Sequence, residues 1–432
     1  MWREGRILEL LDEARAIQQR MPRKRREMDA EEVTRIFTKL MFEGSVSSAL
    51  SFLFQNRQGG VQDLTPEVKA KLKAQHPPPE QGPEEVYIQG EPPAVQPIIF
   101  EELTAAGIKE AANRTRGSAG PSGGDAEHWK RMLHSFGDKS NELAESMAVS
   151  ARRMCTEYVD PVSLEALLAD RLVPLNKNPG TRPVGIGEVE RRIIGKAVVK
   201  VLRPDIKRAA GATQLCAGQE GGVEAAIHAM LQVFEHDDTD AVLLVDAQNA
   251  FNRLNRRAAL HNIRFICPPF AVLLMIINWY RRPARLFVAG GLEIASEEGT
   301  TQGCPCAMQM YALAVLPLID RLRSTLRGQR EEGGARREGS EGVEEQQDPP
   351  VQGVQAWYAD DSQAAGRLRA LRAWWDVLAR DGPGYGYHVN ADKTYLVVKS
   401  RVLEEAKKVF AGTGSSRPRS GDRGALQDTE VR

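Results

Sequence analysis

The stretch VQAWYADDSQAA, residues 354–365, decides the fold. Val354 to Ala359 reads as a strand, Asp360-Asp361 as a turn and Gln363 to Ala365 as a short return strand. A second stretch, LLVDAQNAF at 243–251, has a similar plan. Ala241 to Val245 is a continuous apolar run, as expected of a strand buried on both faces, and Asp246 stands at its end. Acids at the ends of buried strands are costly unless they are paired, hydrogen-bonded or bound to metal. If the two strands are neighbours, Asp246, Asp360 and Asp361 converge on one spot. Oxygen ligands suit Mg²⁺, which keeps several waters and shares its shell with substrate phosphates. Two such ions roughly 4 Å apart can stabilise the attacking and leaving oxygens of a phosphoryl transfer. A lone Asp-Asp pair reads more simply as acids capping a turn, so the surrounding residues must decide between the two.

Those residues come in a definite order. A Gly/Pro-rich segment carries Lys177 and the Arg182-Pro183 dipeptide. Around it, residues 171–208 hold ten Lys and Arg against three Asp and Glu, a local net of +7 in a chain of zero net charge. Phe251 follows Asp246 in the second stretch. Gly299-Thr300-Thr301-Gln302-Gly303 then opens a segment, 302–326, that reads as one long helix. Pro305 is tolerable in its first turn, whereas Pro317 should kink or end it. Tyr358-Ala359-Asp360-Asp361 comes next, and Lys393 closes the series in NADKT.

In this order the motifs resemble a reverse transcriptase of the kind carried by eukaryotic retroelements, over about residues 100–400 without 327–350. The resemblance implies an α+β fold, the fingers and palm of a right-hand polymerase, with a ferredoxin-like palm sheet. It implies that Asp246 and Asp360 bind two Mg²⁺ ions, with Mn²⁺ as a substitute, and that Asp361 completes the cluster. Lys177 and Arg182 would grip the incoming triphosphate, one by point charge and the other by forked donors. Phe251 matches the steric-gate aromatic, which excludes a ribose 2′-OH. Gln302 and Gly303 match the motif that lets template and nucleotide approach closely. Lys393 matches the residue that protonates the leaving pyrophosphate. Gly120-Pro121-Ser122-Gly123 resembles a loop at the entrance of the fingers. The implied activity is RNA-directed DNA polymerisation, adding dNTPs to the 3′-OH of a DNA or RNA primer on an RNA template.

Plainer readings stand beside these. Lys177 and Arg182 could be ordinary surface charge, Lys393 a solvated loop lysine, and 120–123 a plain turn. For Arg191 and Arg192 surface charge is the preferred reading. Cys304 follows the Gln-Gly pair where many relatives carry an acid or small polar residue. No primer-gripping hairpin, thumb or nuclease pattern is visible after Phe410, as expected of a truncated or degenerate copy. The alternative is therefore a catalytically inactive, palm-derived remnant that binds nucleic acid. An RNA-dependent RNA polymerase would share the palm, but Phe251 argues against it.

With 432 residues, 42% of them apolar, the chain can bury a core, and wholesale disorder is excluded. Zero net charge excludes a whole-chain polycation. Five scattered cysteines without a CxxC pair argue against a disulfide scaffold or zinc module and for a reducing, intracellular compartment, nuclear or cytoplasmic. The longest apolar run, Phe270 to Tyr280, is shorter than the ~20 residues that span a bilayer and reads as a buried helix; no membrane partner is expected. Residues 1–74 read as a helical region with an apolar face of Val33, Ile36, Phe37, Leu40 and Met41. In it, Arg23 to Arg26 reads as a solvated helix end. Residues 75–98 read as a Pro/Glu-rich extended linker, 99–236 as fingers-like, and 237–410 as the palm with a disordered insertion at 327–350. Residues 411–432 read as a disordered tail. Further elements are a helix capped by Asp125, an amphipathic helix over Val223 to Phe234, a hairpin around Gly290-Gly291, a helix over Leu368 to Leu378 and a strand at Tyr395 to Val398. His228 and His261 read as packing or surface residues, and Cys304 and Cys306, two apart on a helix, as packing.

Overall fold

The computed structural model describes residues 29–44, 60–95, 97–177, 180–271, 274–289, 291–326, 353–412 and 419–420, with a few single positions before residue 54. The chain divides into a smaller unit, residues 1–62 with 175–180, and a larger one, residues 63–174 with 181–432. In the smaller unit Asp29 caps the helix Ala30–Phe42 by accepting from the Glu32 amide. Val33, Ile36, Phe37 and Leu40 are half-buried, but no residue of that helix is fully buried.

The described strands are β1 (Asp170–Asn176), β2 (Thr181–Gly187), β3 (Ala241–Val245), β4 (Ala284–Val288), β5 (Leu292–Ser296), β6 (Gly353–Tyr358), β7 (Asp361–Gly366), β8 (Tyr395–Val398) and β9 (Arg419–Ser420). They form two sheets, ordered β2-β1-β4-β5 and β6-β7-β3-β8-β9. In the second, β3 runs antiparallel to both β7 and β8. Helices lie between β3 and β6, and the helix Leu368–Asp381 lies between β7 and β8. Strands β3 and β6, and β7 and β8, thus make two interleaved β-α-β crossovers. The apolar run of β3 is explained by its two covered faces. Leu243 joins the main core with Trp374 and Leu378, while Val242 packs on the other face with Ala226, Met230 and Ala365. The mixed α+β class expected from the sequence is the class observed.

Several expectations need correction. Residues 302–326 are two helices, Ala307–Ala314 and Leu316–Thr325. Pro317 starts the second helix, where its missing N–H costs nothing, and Cys304 and Cys306 lie in the turns before the first. The apolar run at 270–280 is helical in its described parts, Pro268–Ala271 and Leu274–Tyr280. No described helix is long and apolar enough to cross a membrane. The segment read as a linker is extended, but it is also pinned. Val86 is buried, Asn262 donates to the Val86 carbonyl (2.7 Å) and accepts from the Ile88 amide (2.9 Å), and Glu298 accepts from the Glu80 amide (2.6 Å). Arg191 is not on the surface. It is buried against Asp170 at 2.6 Å and also donates to the Leu168 carbonyl. Burial pushes the Asp170 carboxyl up, and Arg191 pulls it back. In the helix Gly222–Glu235 only part of the expected face is covered: Ala226 and Met230 are buried, whereas Val223, Ile227 and Leu231 are exposed. In the tail, Arg419 and Ser420 pair in parallel with Val397 and Val398. Arg23 to Arg26, the insertion at 327–350 and most of the tail lie outside the described residues.

Candidate active site

Pairing of β3 with β7 builds the acidic cluster. Val245 sits opposite Ser362, so Asp246 and Asp361 meet at the same end of the sheet. Tyr358 pairs with Asp361, which leaves Ala359 and Asp360 as a two-residue turn. The turn is therefore one residue earlier than expected, and Asp361 opens β7. Ala359 holds φ +56°. A positive φ at a residue with a Cβ costs about 1 kcal/mol.

Three buried or half-buried side chains hold this end of the sheet. Gln214 donates from Nε2 to the Ala359 carbonyl (3.2 Å) and accepts the Ala359 N–H on Oε1 (2.9 Å). The Tyr387 hydroxyl donates to the Asp360 carbonyl (2.9 Å) and lies 2.8 Å from Ser362 Oγ. Asn390 donates from Nδ2 to Asp246 Oδ2 (2.9 Å) and from its backbone to the Asp246 carbonyl (2.8 Å). Lys393 Nζ stands 3.6 Å from Asp246 Oδ2. Burial pushes the Asp361 carboxyl above the ordinary range, and the charge on Asp246 adds to the rise. Tyr387 is pushed up chiefly by its burial, opposed by Ser362, and then by Asp360, Asp246 and Asp361 together. A single buried hydroxyl thus senses all three carboxylates.

The next residues are joined by a chain of contacts. The Phe251 ring packs on Tyr311, centroids 4.9 Å apart and planes tilted by 35°. The Phe251 carbonyl accepts the Thr300 N–H at 2.6 Å. Gly299, at φ +64°, lies so close that a Cβ would stand 2.2 Å from the Phe251 oxygen. The Gln302 carbonyl accepts the Gly185 N–H (2.9 Å), which docks β2 and its exposed Arg182 on the 299–303 loop. A Cβ on Gly303 would stand 2.1 Å from the Gly185 oxygen. The close approach that Gly303 permits here is to the protein's own backbone. Ser122, in the 120–123 loop, donates from its N–H and its hydroxyl to Glu188, just before the helix Val189–Ala210. Lys177 is exposed in a turn closed by its N–H to Gly180 and belongs to the smaller unit.

The fold therefore gathers Asp246, Asp360, Asp361 and Lys393 at one sheet end. Phe251 bonds to the 299–303 loop that carries Gln302 and Gly303, and the Gln302 carbonyl holds Gly185 of β2, the strand that carries Arg182. Sequence reading missed Gln214, Tyr387 and Asn390. Asn390 opens the NADKT stretch and was within reach of that motif. Gln214 and Tyr387 carry no local signal, because their partners are distant in sequence. His261 packs as expected, with Nε2 2.8 Å from the Ile88 carbonyl oxygen.

Among the described residues, no three His, Cys, Asp or Glu side chains cluster tightly enough to hold a metal ion by themselves. Mg²⁺ needs only one or two carboxylates when water and substrate phosphates complete its shell. The Asp361 carboxyl is raised first by burial and then by the charge on Asp246, and a cation beside two such carboxylates would relieve their repulsion. Asp246 and Asp361 supply oxygen donors of the kind Mg²⁺ takes.

No protein-family model matches the chain, and no curated protein matches it. Among solved structures it is similar to an apo telomerase from Candida tropicalis, truncated from the C-terminal domain. The identity is 11% and the TM-score 0.39, over 54% of this chain and 51% of the telomerase. The similarity thus spans about half the length of that protein.

Proposed function

We propose that the chain is an RNA-directed DNA polymerase domain of retroelement type, with the larger sheet as its palm. It would add dNTPs to a primer 3′-OH on an RNA template. The observation that carries this is the meeting of Asp246, Asp360 and Asp361 at the end of paired central strands, around one buried hydroxyl. Asp246 and Asp360 would hold two Mg²⁺ ions, with Asp361 beside them. When bound, the ions would supply the positive charge that stabilises the attacking and leaving oxygens. Arg182 offers forked donors to the triphosphate. The Phe251 ring is backed by Tyr311 and would fill the space that a 2′-OH needs. Lys393 Nζ stands beside Asp246 and would serve the departing pyrophosphate. Alignment of substrates and fixed charge would supply most of the rate.

Primer extension tests this: purified protein, an RNA template with a DNA primer, dNTPs and Mg²⁺ or Mn²⁺, with Asp360→Ala as the control. Extension that the control loses is the expected result. Folded protein that binds the duplex and never extends it would instead be the inactive remnant.

A further inference from the structure

We propose that Gln214 is a positioning residue for Asp360: its buried amide holds the turn that aims the carboxylate. The proposal rests on the polymerase reading of the acidic site. Gln214 is 0% exposed and lies in the segment between the helices Val189–Ala210 and Gly222–Glu235. That segment extends the sheet beyond β6. The Trp357 N–H donates to the Thr213 carbonyl and the Leu215 N–H to the Trp357 carbonyl, each at 2.8 Å. The backbone pairing ends there, two residues short of the turn. The Gln214 side chain continues it by donating to the Ala359 carbonyl and accepting from the Ala359 N–H. A primary amide offers a donor and an acceptor in that fork without having to take up a proton. Cys216 Sγ donates to Gln214 Oε1 at 3.2 Å, which fixes the orientation of the amide.

The position clamped is the one that needs clamping. Among the described residues, Ala359 and Asn249 alone hold a positive φ without being glycine, and each stands close to a proposed metal-binding acid. Strained backbone at a site persists only where its surroundings over-determine it. Gln214 holds Ala359 from one side, and Tyr387 holds the Asp360 carbonyl from the other. Without the amide, Ala359 would relax toward negative φ and carry Asp360 out of line with Asp246.

The test is Mn²⁺ titration of the full chain followed by electron paramagnetic resonance, together with thermal unfolding of each variant. Gln214→Leu should bind Mn²⁺ at least about tenfold more weakly at the acidic site. Adding Ala359→Gly should restore most of that affinity, because glycine takes a positive φ without a clamp. Gln214→Asn keeps the amide one methylene short and serves if the leucine variant does not fold; it should lose affinity in the same way. Unchanged Mn²⁺ affinity in a folded Gln214 variant overturns the proposal. So does a loss that Ala359→Gly fails to repair, since that is the mark of a general structural role. Wild-type protein that binds no Mn²⁺ sinks the polymerase reading and this proposal together, and that pattern is distinct from a failure confined to the variants.

Discussion

Phe251 is the residue at which, in the proposed reading, a single side chain would decide substrate class. Its ring packs on Tyr311, and its carbonyl accepts the Thr300 N–H. Phe251→Val keeps a packed side chain but opens the edge. Incorporation of rNTPs relative to dNTPs should then rise roughly 10- to 200-fold, the range over which apolar pockets discriminate small groups. Single-nucleotide incorporation with matched rNTP and dNTP measures this, and an unchanged ratio would remove Phe251 from the gate. Arg191 makes a different point at the same scale. The motif-rich segment hides a buried cation whose partner, Asp170, is fully buried. Asp170→Asn would leave that charge uncompensated, at a cost of about 3–5 kcal/mol. Thermal unfolding should show a large drop for this variant and a small one for exposed Arg171→Gln.

Among elements, the central strands were readable and the segment around 75–95 was not. A strand buried on both faces is an apolar run, and Ala241 to Val245 announces itself without any partner being known. A hairpin with acids at its tip is equally local. The Pro-rich stretch shows only that the backbone is extended. What anchors it are the half-buried amide of Asn249 and the buried amides of Asn252, Asn255 and Asn262, which bond to Gln75, Glu80, Val86 and Ile88 across a long sequence separation. Gln214 and Tyr387 escaped notice for the same reason. The segment also has a measurable pH response. His76 Nδ1 lies 2.7 Å from the Leu72 carbonyl oxygen, so the neutral ring donates there. Burial lowers the His76 pKa below its usual value, partly offset by that bond, and His388 is lowered in the same direction by burial and by Arg253. A depressed histidine pKa means that the unfolded chain takes up the proton first. Stability is therefore full above about pH 6.5, the unfolded value, and declines as pH falls through it. Thermal unfolding between pH 7.5 and 5.5 should show the decline, and His76→Gln should flatten it. A profile that stays steep in the variant would assign the effect elsewhere.

For the whole molecule, the sum of charges says less than where the charges are spent. The chain is neutral, and residues 171–208 carry a local net of +7. The structure shows several of these cations already engaged. Arg191 is buried in its ion pair, Arg192 donates to the Arg116 and Ser118 carbonyls, Lys196 to the Arg114 carbonyl, and Lys200 is paired with Glu110. Cations already engaged with the protein release few counterions when a nucleic acid docks. Arg182 is exposed on β2, whose Gly185 bonds to the Gln302 carbonyl, and in the proposed reading it would meet phosphate. Affinity for a template–primer duplex should fall linearly with the logarithm of salt concentration, in proportion to the phosphates neutralised. Arg182→Ala should weaken binding alike for unrelated sequences and reduce the slope by about 1. Lys200→Ala should leave the slope unchanged. Fluorescence anisotropy over a KCl series, with two unrelated RNA–DNA duplexes, reads both variants. Equal slope losses in the two would mean that the Glu110 pair opens on binding and that the helix Val189–Ala210 is part of the contact surface.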